Sequence, residues 1–135
     1  MHPLNAHTYE DLSNILNYGK DFDIYPVMSL SDMMITDYSS IYIDYLIIDR
    51  PIVFFNYDYE KYLEKNRKLQ SEFLDMIPGV IATEQDSLEK AILDHLISGN
   101  DTHKHQRAKL KEISYEFFDG NSAQRIFCKF EKWQK

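Results

Sequence analysis

The stretch Met33-Met34-Ile35-Thr36-Asp37-Tyr38-Ser39-Ser40-Ile41-Tyr42-Ile43-Asp44-Tyr45 constrains the fold more than any other part of this 135-residue chain. A short apolar run breaks at a cluster of small polar residues, and a second apolar run resumes at once. The pattern predicts a buried strand, a tight polar loop and a buried helix. In an open α/β sheet, ligands sit at the loops leaving the carboxyl ends of the strands. Backbone N–H groups at the start of the following helix, with hydroxyls from Thr36, Ser39 and Ser40, suit a phosphate. The loop is therefore expected to hold the phosphates of a nucleotide-activated donor.

The length is that of one domain with a real core. Ten Tyr and eight Phe, with four scattered Gly and four scattered Pro, exclude a disordered or low-complexity chain. Charge is divided unevenly. Residues 1–102 carry 7 basic and 18 acidic side chains, whereas residues 103–135 carry 8 basic and 4 acidic. Such a basic end can meet anionic lipid, an anionic polymer or nucleic acid, although most basic stretches are simply solvated helix surfaces. The single cysteine, Cys128, excludes an internal disulfide and a cysteine-based metal site, and its place between Phe127 and Phe130 predicts a small core residue. No apolar run approaches the roughly 20 residues that span a bilayer, and no signal peptide opens the chain, so a cytoplasmic location is expected.

Taken in order, residues 8–19 carry a capping signal at Thr8 and Asp11, and Leu12, Ile15 and Leu16 follow at helical spacing. Phe22-Asp23-Ile24-Tyr25 alternates and ends at Pro26, predicting a short strand; residues 27–32 can form one helical turn. The helix after Ser40 is expected to run to about Ile48 before Asp49-Arg50-Pro51 turns the chain. Ile52-Val53-Phe54-Phe55 reads as a strand buried on both faces, which completes a βαβ unit. Residues 59–68 read as an exposed helix, residues 69–77 are ambiguous, and Pro78-Gly79 turns into a strand at Val80-Ile81-Ala82. A second capping signal at residues 83–86 opens a helix whose stripe is Leu88, Ala91, Ile92 and Leu96, with His95 beside it as a packed or partly exposed histidine. A charged helix over residues 101–118 follows. Its His103 and His105 do not face each other, so they make no metal pair. A last helix carries Ala123, Ile126, Phe127, Phe130 and Trp133. The order predicts a doubly wound, Rossmann-like α/β domain with a mostly parallel sheet and C-terminal helices.

Among candidate chemical groups, the loop of Thr36, Asp37, Ser39 and Ser40 stands first. The alternative is an ordinary helix cap, with Asp37 or Ser39 satisfying free amides. No Gly-rich phosphate or dinucleotide fingerprint is present, which disfavours a P-loop enzyme or a Rossmann oxidoreductase. His2 can act as a base or bind phosphate, or be simply a terminal residue. Arg125 can reach an anion or form a surface ion pair.

Several stretches together resemble one family. Asp23-Ile24-Tyr25-Pro26, Ser31-Asp32, Ile35-Thr36-Asp37-Tyr38-Ser39-Ser40, Asp44-Tyr45, Arg50-Pro51-Ile52 with Phe54-Phe55, Tyr57-Asp58, Glu60-Lys61-Tyr62, Pro78-Gly79 and Phe118-Asp119-Gly120-Asn121-Ser122-Ala123-Gln124-Arg125 are similar to the pattern of the CDP-glycerol glycerophosphotransferases, which build teichoic acids and related capsule polymers. The matches run from His2 to Arg125.

The resemblance implies the C-terminal, donor-binding half of a GT-B arrangement, a single domain over residues 1–135 without its N-terminal acceptor half. It implies transfer of glycerol phosphate or a related alditol phosphate from a CDP-linked donor to a polymer hydroxyl, with release of CMP. Thr36, Asp37, Ser39, Ser40 and Arg125 would then lie at the donor diphosphate, Asp119 and Gly120 elsewhere in the donor site, and His2 in a catalytic role. No metal and no resident cofactor are expected, the CDP-alditol being substrate. Expected partners are CDP-glycerol or another CDP-alditol, an anionic polymer acceptor and the inner face of the cell membrane, touched peripherally; nucleic acid is not among them. The isolated chain is expected to be inactive without the other half. Two alternatives are a non-catalytic nucleotide-binding module and a GT-B glycosyltransferase fragment using a nucleotide sugar, since fold alone does not choose between chemistries.

Overall fold

A computed structural model describes residues 14–16, 18, 19, 21–58 and 77–133. Its elements in chain order are α1 (Tyr25–Leu30), β1 (Met34–Thr36), α2 (Ile41–Tyr45), β2 (Ile52–Phe55), β3 (Val80–Ala82), α3 (Gln85–Leu96), α4 (Lys104–Ser114) and α5 (Ser122–Trp133). The three strands form one sheet in the order β1-β2-β3. Both pairings are parallel, with Ile35 opposite Val53 and Phe54 opposite Ile81.

Because successive strand residues point to opposite faces, the unbroken apolar run of β2 needs cover on both sides. Ile52 and Phe54 enter one core cluster with Met28 of α1, Tyr42 and Tyr45 of α2, and Leu110 of α4. Val53 enters a second cluster with Ala82 and Ala91 of α3, and Phe55 packs against it. Helices therefore cover both faces of a parallel sheet, and the expected doubly wound α/β class holds. Gly79 is dictated by the approach of β3 to β2, since a Cβ there would lie 2.1 Å from the Ile52 carbonyl oxygen.

Several local expectations need correction. Residues 14–16, 18 and 19 are not helical, while the start of the helix expected over residues 8–19 lies outside the described residues. Phe22, Asp23 and Ile24 form no strand, and Tyr25 opens α1 instead. Pro26 sits in the first turn of that helix, where its fixed φ and missing N–H cost nothing. The helix α2 stops at Tyr45 rather than near Ile48, giving way to a turn that ends at Asp49 with φ 54. The charged helix is shorter than residues 101–118, spanning Lys104–Ser114. Cys128 is exposed, not a core residue, because the face of α5 bearing Ile126, Phe127, Phe130 and Trp133 is itself exposed. The expected helix over residues 59–68 and most of the ambiguous 69–77 segment lie outside the described residues.

Candidate functional site

In a parallel sheet all carboxyl ends share one edge, so the loops after β1 and β2 open on the same side. Thr36 ends β1 and Phe55 ends β2. Ile35, Thr36, Asp37, Phe55 and Tyr57 line an open hollow of about 370 Å³ there. The two loops are tied by Tyr38, whose hydroxyl donates to Asp58 Oδ1 at 3.2 Å.

Within the first loop, Asp37 Oδ1 accepts the Ser39 backbone N–H at 3.0 Å, and Ser39 Oγ lies 3.5 Å from the Ile41 nitrogen as acceptor. These are the local bonds that the helix-cap alternative calls for. They do not use every group: Ser40 is the N-cap of α2 yet makes no side-chain capping bond. Among the described residues the Thr36 and Ser40 hydroxyls have no hydrogen-bond partner, and Ser40 is exposed. Only five residues long, α2 contributes little macrodipole, so hydroxyls and loop amides rather than a long helix must attract an anion here.

A second group forms at the start of α5. Arg125 Nη1 donates to Asp119 Oδ1 at 2.9 Å and Oδ2 at 3.0 Å, and its Nη2 donates to Ser122 Oγ at 3.2 Å. The guanidinium also lies 4.0 Å from the centre of the Phe117 ring. Gly120, with φ 75, takes the left-handed turn that lets Asp119 accept the Asn121 N–H at 3.0 Å. That backbone bond, reinforced by Arg125, holds the Asp119 carboxyl down at about 2. Tyr115, Phe117, Asp119, Ser122 and Arg125 line a hollow of about 800 Å³.

Sequence-predicted site residues thus fall into two sets. Thr36, Asp37, Ser39 and Ser40 share one loop; Asp119, Gly120 and Arg125 share another, with Asp119 and Arg125 paired to each other. Hydrogen bonds of each set stay within it or with its own flanks. His2 lies outside the described residues. His95 is buried, in line with a packed histidine; its Nδ1 donates to the Asn100 carbonyl at 2.6 Å, since a carbonyl can only accept. Among the described residues no three His, Cys, Asp or Glu side chains converge as a metal site, and no helix is long and apolar enough to cross a membrane.

Sequence reasoning missed Asp44 and Tyr115 as linking groups. Asp44 Oδ2 accepts from Tyr25 Oη at 3.2 Å, and Tyr115 Oη reaches Ile43 O at 3.1 Å and Asp44 Oδ1 at 3.4 Å. The hydrogen bond to Asp44 raises the Tyr25 phenol, and burial beside the Asp44 charge raises that of Tyr115. The motif pair Asp44-Tyr45 pointed to Asp44, and no local pattern pointed to Tyr115.

Comparison with known proteins agrees with these motifs. The teichoic acid ribitol-phosphate primase of Bacillus spizizenii is 34% identical over 130 residues, covering 93% of this chain and 32% of its own length. A histidine-to-alanine variant of the wall teichoic acid polymerase TagF superposes with a TM-score of 0.71 at 29% identity, covering 87% of this chain and 28% of that one. A histidine-to-asparagine TagF variant soaked with CDPG gives a TM-score of 0.66 at 28% identity, covering 87% of this chain and 29% of that one. The Rossmann-like domain is thus of the kind that forms half of a GT-B fold. The chain spans about a third of the primase and as little as 12% of other curated relatives. The family model for CDP-glycerol:poly(glycerophosphate) glycerophosphotransferase matches residues 1–131, and this chain belongs to that family.

Proposed function

We propose that the chain is the donor-binding part of a CDP-alditol phosphotransferase that extends or primes a teichoic acid or capsule polymer. In the reaction, an acceptor hydroxyl oxygen attacks the phosphorus bearing the alditol. The bond from that phosphorus to the bridging oxygen breaks, and the bridging oxygen leaves with CMP. The hydroxyl proton passes to a base, for which His2 is the proposed group. Such transfers depend on positioning and on donors aimed at phosphate oxygens. Thr36, Ser39, Ser40 and the loop amides would supply these donors, Asp37 would face the loop amides or an alditol hydroxyl, and Arg125 with Asp119 and Gly120 would close the other side. The donor is CDP-glycerol or a related CDP-alditol, and the reaction calls for no further cofactor.

One observation carries this assignment: the Thr36 and Ser40 hydroxyls, without a hydrogen-bond partner among the described residues, at the carboxyl edge of the sheet and within a family match over residues 1–131. Calorimetric titration with CDP-glycerol and CDP-ribitol tests it. Binding should be lost on combining Ser39→Ala with Ser40→Ala, and unchanged binding would refute the site. Stabilisation by UDP-sugars but not by CDP-alditols would favour a glycosyltransferase instead.

The acceptor, an anionic polymer, would be held by the part of the protein that the relatives possess beyond this match, so the chain alone should bind donor without turnover. We further place the protein in the cytoplasm, in peripheral contact with the inner membrane face. The support is the excess of basic residues after position 102 and the exposed aromatic face of α5.

A further inference from the structure

We propose that Asp44 and Tyr115 are positioning residues, forming the joint that holds the Arg125 hollow in register with the loop at residues 36–40. The inference rests on the donor-site assignment above. The loop and the hollow belong to segments about 80 residues apart, and among the described residues the hydrogen bonds of Asp37 and Ser39 on one side and of Asp119 and Arg125 on the other stay within their own segments. What connects them is α2. Its first residue follows Ser40, and its fourth is Asp44. Tyr115 closes α4 and donates its hydroxyl to Ile43 O and Asp44 Oδ1 while its side chain walls the 800 Å³ hollow. Two residues on, Phe117 carries the Arg125 guanidinium on its ring.

A second strut runs in parallel. Lys111 Nζ donates to Ile47 O at 3.2 Å and lies 4.8 Å from the centre of the Phe118 ring. Asp44 is braced in turn by Tyr25, so its carboxylate fixes α1, α2 and the segment after α4 at one point. A displacement of Tyr115 would shift Phe117 and Arg125 without disturbing the sheet. The expected consequence is that Arg125 contributes to donor binding only while Asp44 and Tyr115 are joined.

A binding cycle on the full chain tests this with CDP-glycerol. Tyr115→Phe and Arg125→Ala should each weaken binding about tenfold, and the double variant should also be about tenfold weaker, not a hundredfold, because the second change removes a contribution already lost. Adding Ser39→Ala with Ser40→Ala should abolish what binding remains. Multiplicative effects, or a Tyr115→Phe variant that binds like the parent, would overturn the joint. Amide hydrogen exchange supplies a ligand-free reading. Asp44→Ala and Tyr115→Phe should accelerate exchange over residues 116–125 and leave α3 unchanged; equal protection everywhere would reject the proposal, and a general loss would mark mere destabilisation and reject it too. If the parent binds no CDP-alditol while exchange behaves as expected, the joint stands and the donor assignment fails.

Discussion

Arg107 donates through Nε to Asp49 Oδ1 at 3.1 Å and through Nη1 to Asp101 Oδ1 at 2.9 Å, with only 1% of the residue exposed. One buried guanidinium therefore ties the turn that launches β2 to the turn that launches α4. Burial alone would lower the Arg107 pKa, but the bonds to Asp101 and Asp49 outweigh it and the net shift is upward. The same bond from Arg107 holds the Asp101 carboxyl below its ordinary value.

Arg107→Ala should therefore cost about 2–4 kcal/mol, because it strips the partner from the partly buried Asp101 carboxylate and empties a buried site, while the more exposed Asp49 regains water. Arg107→Lys should recover only part of this, since an ammonium cannot reproduce the planar fork shared by two carboxylates. Urea unfolding reads both. An Arg107→Ala variant within 1 kcal/mol of the parent would show that the pairs merely break even.

Gly79 offers a backbone test. An added methyl would meet the Ile52 carbonyl oxygen at 2.1 Å, and that atom is backbone of the central strand rather than the end of a flexible side chain. Gly79→Ala should destabilise the domain by about 1–3 kcal/mol, as overpacking does. Gly19→Ala, where a Cβ would meet nothing within 4 Å, serves as the control and should stay near the parent.

Legibility followed the range of the forces involved. The β2 strand matched residue for residue because four β-favouring residues stand between Pro51 and Asn56, and no local alternative competes. The α3 start was off by little: its N-cap is Glu84, with Ser87 Oγ accepting the Glu84 N–H at 3.2 Å. Pro26 misled because proline both ends strands and opens helices, and the choice was settled by burying Met28 in the core. Periodicity marked the apolar face of α5 but could not say whether anything covers it, so Cys128 was misplaced. The Arg107 and Tyr115 links join residues 58 and 71 apart, beyond any local pattern. In the site, the loop at residues 36–40 was legible as motif and as geometry, whereas the pairing of Arg125 with Asp119 became visible only in three dimensions.

The C-terminal helix yields a surface prediction. Ile126, Phe127, Phe130 and Trp133 are 59–88% exposed, and Arg125 and Lys129 lie on the same helix. The chain should cosediment with vesicles containing phosphatidylglycerol at low salt and be released near 1 M salt, where the Debye length is about 3 Å. Lys129→Glu should reduce binding, while Trp133→Ser should weaken it with little change in folding stability. Binding that ignores both salt and Lys129→Glu would rule out an electrostatic contact.

Asp119 provides a pH signature with a definite sign. Its carboxyl titrates near 2 in the folded chain against an ordinary 3.8, first because the Asn121 N–H binds the charged form and then because Arg125 does. A lowered folded pKa means the charged form is favoured by folding. Its contribution is complete above about pH 4, declines as pH falls from there toward 2, and is gone below. A nuclear magnetic resonance titration of the Asp119 carboxyl should follow that window. Arg125→Ala should move the midpoint upward yet leave it below 3.8, because the backbone donor remains. A midpoint at the ordinary carboxylate value in the parent would mean that the Gly120 turn and the Arg125 pair are not held in solution, and with them would go the shape of the hollow that Tyr115 and Phe117 wall.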